Sequence, residues 1–193
     1  MAVVTTGFFD GVHLGHRHLL ETVVSSARER GEEAVVVTFW PHPRMVLQQD
    51  ARELRLLSTL EEKKALLLEA GIDRVEVLRF TREFAAMPAR EYLGMLRDRY
   101  GASLVVMGYD NRIGSDQRTF SDLASAPSLC HIELAKRVGR ISSTQIRKAL
   151  MEGDIELANA MLGYDYGLHG VVVAGNQLGR TIGFPTANMK LYE

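Results

Sequence analysis

A single cysteine, Cys130, in 193 residues excludes an intrachain disulfide framework and a cysteine-rich zinc site, and it suits a reducing compartment. An excess of one charge is also missing. The 23 lysines and arginines nearly balance 24 acidic residues, leaving a formal net charge of -1 and no electrostatic footprint for nucleic acid or membrane. No apolar run approaches the roughly 18 residues needed to cross a bilayer. The N-terminus enters a strand pattern directly, without a basic region and an apolar core, so no signal peptide is expected and the cytoplasm is the expected location. Gly-x-x-x-x-Gly-Lys-Ser/Thr does not occur, which removes P-loop kinases. There is no internal repeat and no low-complexity segment. What is present, 46% hydrophobic and 24% charged residues, describes an ordinary globular chain with room for one good-sized domain and a fragment of another.

The hydrophobic pattern alternates between strand and helix. Ala2-Val3-Val4 reads as a buried strand, and Arg17 to Arg30 carries apolar residues at helical spacing, with Gly31 as its C-terminal cap. Ala34 to Phe39 is a continuous apolar strand of the fully buried kind. Thr59 and Glu62 have the spacing of a capping box for a helix running to Ala70. Asp73 to Leu78 reads as a strand, Phe80 to Phe84 as a loop or short turn, and Pro88 suits the first turn of a helix reaching Tyr100. Leu104 to Met107 is another short buried strand. Ser115 to Pro127 is polar, poorly periodic and expected to be mobile. Ser142 or Ser143 caps a helix to about Glu152, and Asp154 caps another over Ile155 to Leu162. This alternation predicts an α/β domain with a parallel sheet and helices on both faces, over residues 1–163. From residue 164 the pattern turns β-rich over Tyr166 to Val173, and 164–193 is too short to bury a core of its own.

Four stretches stand where such folds hold ligands. Gly7 to His16 links the first strand to the first helix through glycines, placing backbone N–H groups and a positive helix end at one point. His13 and His16 flank Gly15, whose missing side chain allows close approach to the backbone. Trp40-Pro41-His42-Pro43-Arg44 ends the second strand as a stiff segment, either a ligand-facing loop or a connector. Gly108 to Gly114 follows a strand in the same way, although Asp-Asn pairs also occur in plain turns. Arg140 to Arg147 places hydroxyls and an arginine at a helix start, suited either to a polyphosphate or to an ordinary N-cap.

Together these stretches resemble the bacterial bifunctional riboflavin kinase/FAD synthetase family, whose N-terminal domain is a Rossmann-like FMN adenylyltransferase. The matching segments are Gly7-Phe8-Phe9-Asp10-Gly11-Val12-His13-Leu14-Gly15-His16, Thr38 to Pro43, Gly108-Tyr109-Asp110-Asn111-Arg112-Ile113-Gly114 and Ile141 to Arg147. Gly179 to Asn188 matches the opening motif of the family's kinase domain, a β-barrel. Phe9 and Ile113 depart from the family's usual residues, and the stretch between Phe120 and Arg140 is shorter than expected.

The resemblance implies transfer of AMP from ATP to FMN, giving FAD and pyrophosphate, with Mg2+ present. It implies catalytic roles for His13, His16, Arg140, Ser143 and Thr144 on the ATP phosphates. Nucleotide or flavin contacts would come from Gly7, Phe8, Phe9, Asp10, Gly15, Pro41, His42, Pro43, Gly108, Asp110, Asn111, Ser142 and Arg147. Thr186 and Asn188 match the family's kinase magnesium and phosphate ligands. Because the family's kinase domain continues beyond Glu193, with its general base there, riboflavin phosphorylation is not expected from this chain. The alternatives are a related adenylyl- or cytidylyltransferase with another acceptor, or a non-catalytic nucleotide- or flavin-binding module. Small molecules are the expected partners, with neither nucleic acid nor membrane among them.

Overall fold

A computed structural model describes residues 1–48, 54–124, 131–135 and 141–191. Arg140, Cys130 and the end of the polar stretch that runs to Pro127 lie outside the described residues. The centre is a five-stranded sheet of β1 (Ala2–Thr6), β2 (Glu33–Trp40), β3 (Arg74–Arg79), β4 (Ala102–Met107) and β5 (His131–Leu134), in the order β3-β2-β1-β4-β5. Every pairing in it is parallel.

Successive side chains of β1 point to opposite faces. Val3 joins Val36 and Val106 beneath α1 (Leu14–Arg30), against Leu20, Val23 and Ala27, with Leu67 of α3 (Leu60–Glu69) in the same layer. Val4 joins Val35, Val37 and Val105 on the other face, against Tyr92, Leu93 and Leu96 of α5 (Ala89–Tyr100). Both faces are dry, which is why β1 and β2 read as unbroken apolar runs. A fully buried Val or Leu in such a layer contributes roughly 1.5–3 kcal/mol.

The sheet reverses its strand order between β1 and β4, so their C-terminal ends open the crevice where doubly wound sheets bind ligands. The Gly7–His16 and Gly108–Gly114 stretches leave from those two ends. A third layer of α7 (Ser143–Met151) and α8 (Ile155–Leu162) packs Ile146, Ala149, Ala158 and Leu162 against Leu57, beside the turn that follows β1.

Several expectations need correction. The first helix begins at Leu14, not Arg17, because the His13 imidazole caps it and Gly15 fits its first turn. The Pro41-His42-Pro43 segment is not loop throughout. His42 caps a short helix, α2 (Pro43–Leu47), and Pro43 at its first position loses no intrahelical bond there. Arg82–Ala85 forms the short helix α4, capped by Thr81. Within the polar stretch after Gly114, Ile113 bridges Arg118 and Phe120–Ala124 forms α6. Beyond α8 the strand pattern narrows to β6 (Gly170–Val173), which pairs antiparallel with β7 (Asn188–Leu191) around the short helix α9 (Leu178–Thr181). Val172 and Met189 of this pair are exposed. It is the start of a second, β unit attached to the α/β domain.

Candidate nucleotide and flavin site

The turn after β1 is shaped by strain and fastened from behind. Phe9 adopts a left-handed backbone (φ 56°), and Asp10–Val12 form a single 3-10 turn whose Gly11 also has positive φ. Asp10 points inward. Its Oδ1 accepts the Leu57 N–H at 2.9 Å, and its Oδ2 accepts Nη2 of Arg147 at 2.8 Å. The Ser143 hydroxyl donates to the Asp10 carbonyl (3.1 Å), and the Tyr164 hydroxyl to the Gly11 carbonyl (2.7 Å). Burial pushes the Asp10 carboxyl up, against the opposing pull of Leu57 N–H and Arg147. Asp10 and Arg147 therefore hold each other and tie α7 to the turn.

In front of the turn, His13 and His16 lie one helical turn apart, and their rings stack at 3.7 Å and 15°. The His13 Nδ1 accepts the His16 backbone N–H at 3.3 Å, so the ring's proton sits on Nε2. Burial lowers the His13 pKa to about 4. That of His16 is also lowered well below its ordinary value, by burial first and then by His13 and Lys63. Both rings are neutral donors near pH 7. His16 Nδ1 is buried without a hydrogen-bond partner. The edge of the Phe9 ring closes on His16 at 5.2 Å. A Cβ on Gly15 would come within 3.2 Å of the His13 ring, so glycine there permits the capping geometry.

Two cavities flank this turn, divided by the Gly108–Gly114 loop. The first, about 250 Å³, is lined by His13, Gly15, His16, Leu19, Gly108, Tyr109, Asp110, Ala135, Ile141, Ser142 and Ser143. The N-terminal ends of both α1 and α7 open into it, bringing two positive helix ends to one space. The Ser142 hydroxyl accepts the Gln145 N–H and caps α7. Thr144 is exposed in the same first turn of α7.

The second cavity, about 290 Å³, is apolar and aromatic, lined by Phe39, Pro43, Phe80, Phe84, Met87 and Tyr92, with Thr6, Gly7, Asn111 and Ile113 at its inner edge. Asn111 donates from Nδ2 to the Thr6 carbonyl at 2.9 Å, fixing the dividing loop to the end of β1. His42 lines neither cavity. Its Nδ1 accepts the Arg44 N–H (3.0 Å), and its ring rests on Phe8 at 4.1 Å. Burial, with Arg147, Arg44 and Lys63 nearby, lowers its pKa to about 4.

The structure thus gathers Gly7, Phe8, Phe9, His13, Gly15, His16, His42, Pro43, Gly108, Asp110, Asn111, Ser142 and Ser143 around the crevice, while Pro41 links β2 to the cap of α2. Thr186, just before β7, and Asn188, its first residue, are exposed. Among the described residues, no group of three His, Cys, Asp or Glu side chains could hold a metal ion. Lys63, Leu57, Ser58 and Tyr164 escaped the sequence reading. Only Lys63 left a trace there, as a lysine four residues before Leu67 on the face that α3 buries.

Residues 1–166 match the FAD synthetase family, and residues 162–193 match the riboflavin kinase family. A bifunctional riboflavin kinase/FMN adenylyltransferase of Listeria monocytogenes is 37% identical over 99% of this chain and 63% of its own length. The Bacillus subtilis protein of that name is 36% identical over 98% and 62%, and that of Escherichia coli (strain K12) 36% over 98% and 63%. A crystal structure from Streptococcus pneumoniae, named a macrolide-efflux protein, superposes on the whole chain with a TM-score of 0.89 at 32% identity, using 65% of its length. The chain spans less than two thirds of each of these relatives. No helix among the described residues is long and apolar enough to cross a membrane. With the parallel sheet, the stacked histidines and a family match over most of its length, the chain belongs to the FAD synthetase family.

Proposed function

We propose that this chain transfers AMP from ATP to FMN, releasing pyrophosphate and forming FAD. One observation carries the reading. Two helix N-termini and a stacked pair of neutral histidines converge on one cavity, and an aromatic cavity lies just across the turn. The first suits a nucleoside triphosphate and the second a flat apolar ring system that carries an anion at one end.

The adenine would lie against Leu19, Gly108 and Ala135, with Asp110 and Tyr109 at its rim. The triphosphate would run past Gly15, His13 and His16 towards Ser142, Ser143 and Thr144. The isoalloxazine would lie among Phe39, Phe80, Phe84 and Tyr92. Its ribityl phosphate would then leave past Gly7 and Asn111 under α2. A phosphate oxygen of FMN attacks the α-phosphorus, a new P–O bond forms, and the bond to the bridging oxygen of the leaving pyrophosphate breaks. The nucleophile is already an anion, so no protein base is needed. Catalysis rests on alignment and on stabilising charge as it moves to pyrophosphate.

His13 and His16 act as hydrogen-bond donors. With its Nδ1 used for capping, His13 presents Nε2–H to the phosphates. Losing one such donor costs on the order of 3 kcal/mol in the barrier, about a hundredfold in rate. Mg2+ would enter as its complex with ATP and screen the pyrophosphate charge. Thr186 and Asn188 offer two neutral oxygens at most, too few for a magnesium site by themselves. Asp10 and Arg147, assigned to substrate from the sequence, act instead as the brace behind the turn. We place the boundary between the adenylyltransferase domain and the β unit at residues 163 and 164, supported by the left-handed cap at Gly163.

The test is acceptor choice. Incubated with MgATP, the chain should convert FMN to FAD and leave pantetheine phosphate and glycerol phosphate unreacted. Adenylylation of either of those in place of FMN would overturn the reading.

A further inference from the structure

Lys63 is the one lysine that α3 turns inward, and it is 1% exposed. An ammonium taken out of water is costly unless it is paired. Among the described residues no carboxylate bonds it. Its Nζ reaches the Phe39 carbonyl at the long distance of 3.5 Å and sits on the Phe8 ring, 3.7 Å from the centroid, and 5.5 Å from that of Trp40. Phe8 belongs to the turn after β1. Phe39 and Trp40 end β2, and His42, seated on the other contact of Phe8, caps α2. One buried cation therefore touches the turn after β1 and the end of β2, and adjoins through Phe8 the cap of α2.

We propose that Lys63 is a positioning residue for adenylyl transfer: its ammonium clamps the Phe8 turn to the Trp40–His42 segment and so sets where the acceptor phosphate lies relative to the stacked histidines. This inference rests on the proposed function. The cost of keeping an unpaired ammonium there is met partly by cation–π attraction, which reaches about 2 kcal/mol when desolvated. An anion arriving in the crevice supplies the rest of the missing partner charge. Burial lowers the Lys63 pKa to about 8, with Asp10 pulling the other way. The other titratable or charged groups acting in this cluster are His16 on α1, His42 and Arg44 on α2, and Arg147 on α7. The clamp should therefore release as pH rises through about 8, a range in which neither substrate phosphate titrates (their last pKa is about 6).

Trp40 is the sole tryptophan, so its fluorescence reports the clamp without any turnover. In the flavin-free wild type, Trp40 emission should change with a midpoint near 8, and kcat/KM for FMN should fall along the same limb. Lys63→Met should lose the emission step and about tenfold or more in kcat/KM for FMN. Lys63→Arg, which stays charged throughout, should lose the step near 8 while keeping kcat/KM within about threefold of wild type. Survival of the step near 8 in Lys63→Arg would overturn the proposal, as would unchanged kcat/KM in Lys63→Met. If Lys63→Met does not fold, Lys63→Arg decides. A wild type that binds FMN but makes no FAD would instead sink the functional reading. The clamp would then stand or fall on whether Lys63→Arg abolishes the emission step while preserving FMN affinity.

Discussion

Replacing Asp10 with alanine asks whether the phosphate-facing turn is braced by a buried ion pair. Asp10 is 4% exposed and the Arg147 side chain 18%. Because burial outweighs its partners in setting the Asp10 pKa, the ionised pair is not itself a large net source of stability. The damage comes from what alanine leaves behind, a buried Leu57 amide and a mostly buried guanidinium without acceptors. At about 1–3 kcal/mol for each stranded group, Asp10→Ala should cost about 3–5 kcal/mol. Arg147→Met keeps the apolar stem and leaves a carboxyl that takes up a proton, at about 1–3 kcal/mol. In the double variant neither charge remains, so its loss should fall short of the sum by about 1 kcal/mol or more. Urea unfolding of the four proteins measures this through midpoint shifts at constant slope. Additivity within about 0.5 kcal/mol, or a loss below about 1 kcal/mol for Asp10→Ala, would refute the brace.

Other consequences concern pH and backbone space. His13 titrates at about 4 when folded against 6.5 ordinarily, so the unfolded chain binds its proton first. Stability should therefore fall as pH drops from about 6.5 to about 4, with His13 alone contributing about 3 kcal/mol of that loss. His13→Asn, which can still cap α1, should show a shallower decline in unfolding midpoint across that window, and an unaltered decline would contradict the assignment. Gly114 has φ +76°, and a Cβ there would sit 2.1 Å from the Ala89 nitrogen. Gly114→Ala should cost about 2–4 kcal/mol in urea melts and raise KM for FMN, since Gly114 lines the aromatic cavity. A neutral melt would show that the dividing loop is not held there.

What the sequence revealed was local. The Thr59–Glu62 capping box and the Asp154 cap each use residues within one turn, and both occur as read. The apolar runs of β1, β2 and β4 betray burial on two faces, enough to fix the parallel core. β5 left no such trace, being four residues long at the sheet edge with three of them exposed. The brace was hidden for another reason. Asp10 and Arg147 are 137 positions apart, and no spacing rule links them. Lys63 was masked by its type, since a lysine beside Lys64 and Glu62 on a helix reads as solvated surface. The histidine pair was legible as a site, but its stacked geometry and the single tautomer imposed by capping needed coordinates.

In the proposed reaction the stacked histidines stabilise charge during AMP transfer to FMN. Single-turnover reaction of the chain with FMN and ATP labelled at the α-phosphate tests it directly. The label should appear in FAD with one pyrophosphate released per turnover. His16→Ala should slow that step about a hundredfold while binding FMN as tightly as wild type. Label retained in ATP, or released as ADP or free AMP with no labelled FAD, would contradict it, as would a His16→Ala variant that transfers AMP at the wild-type rate.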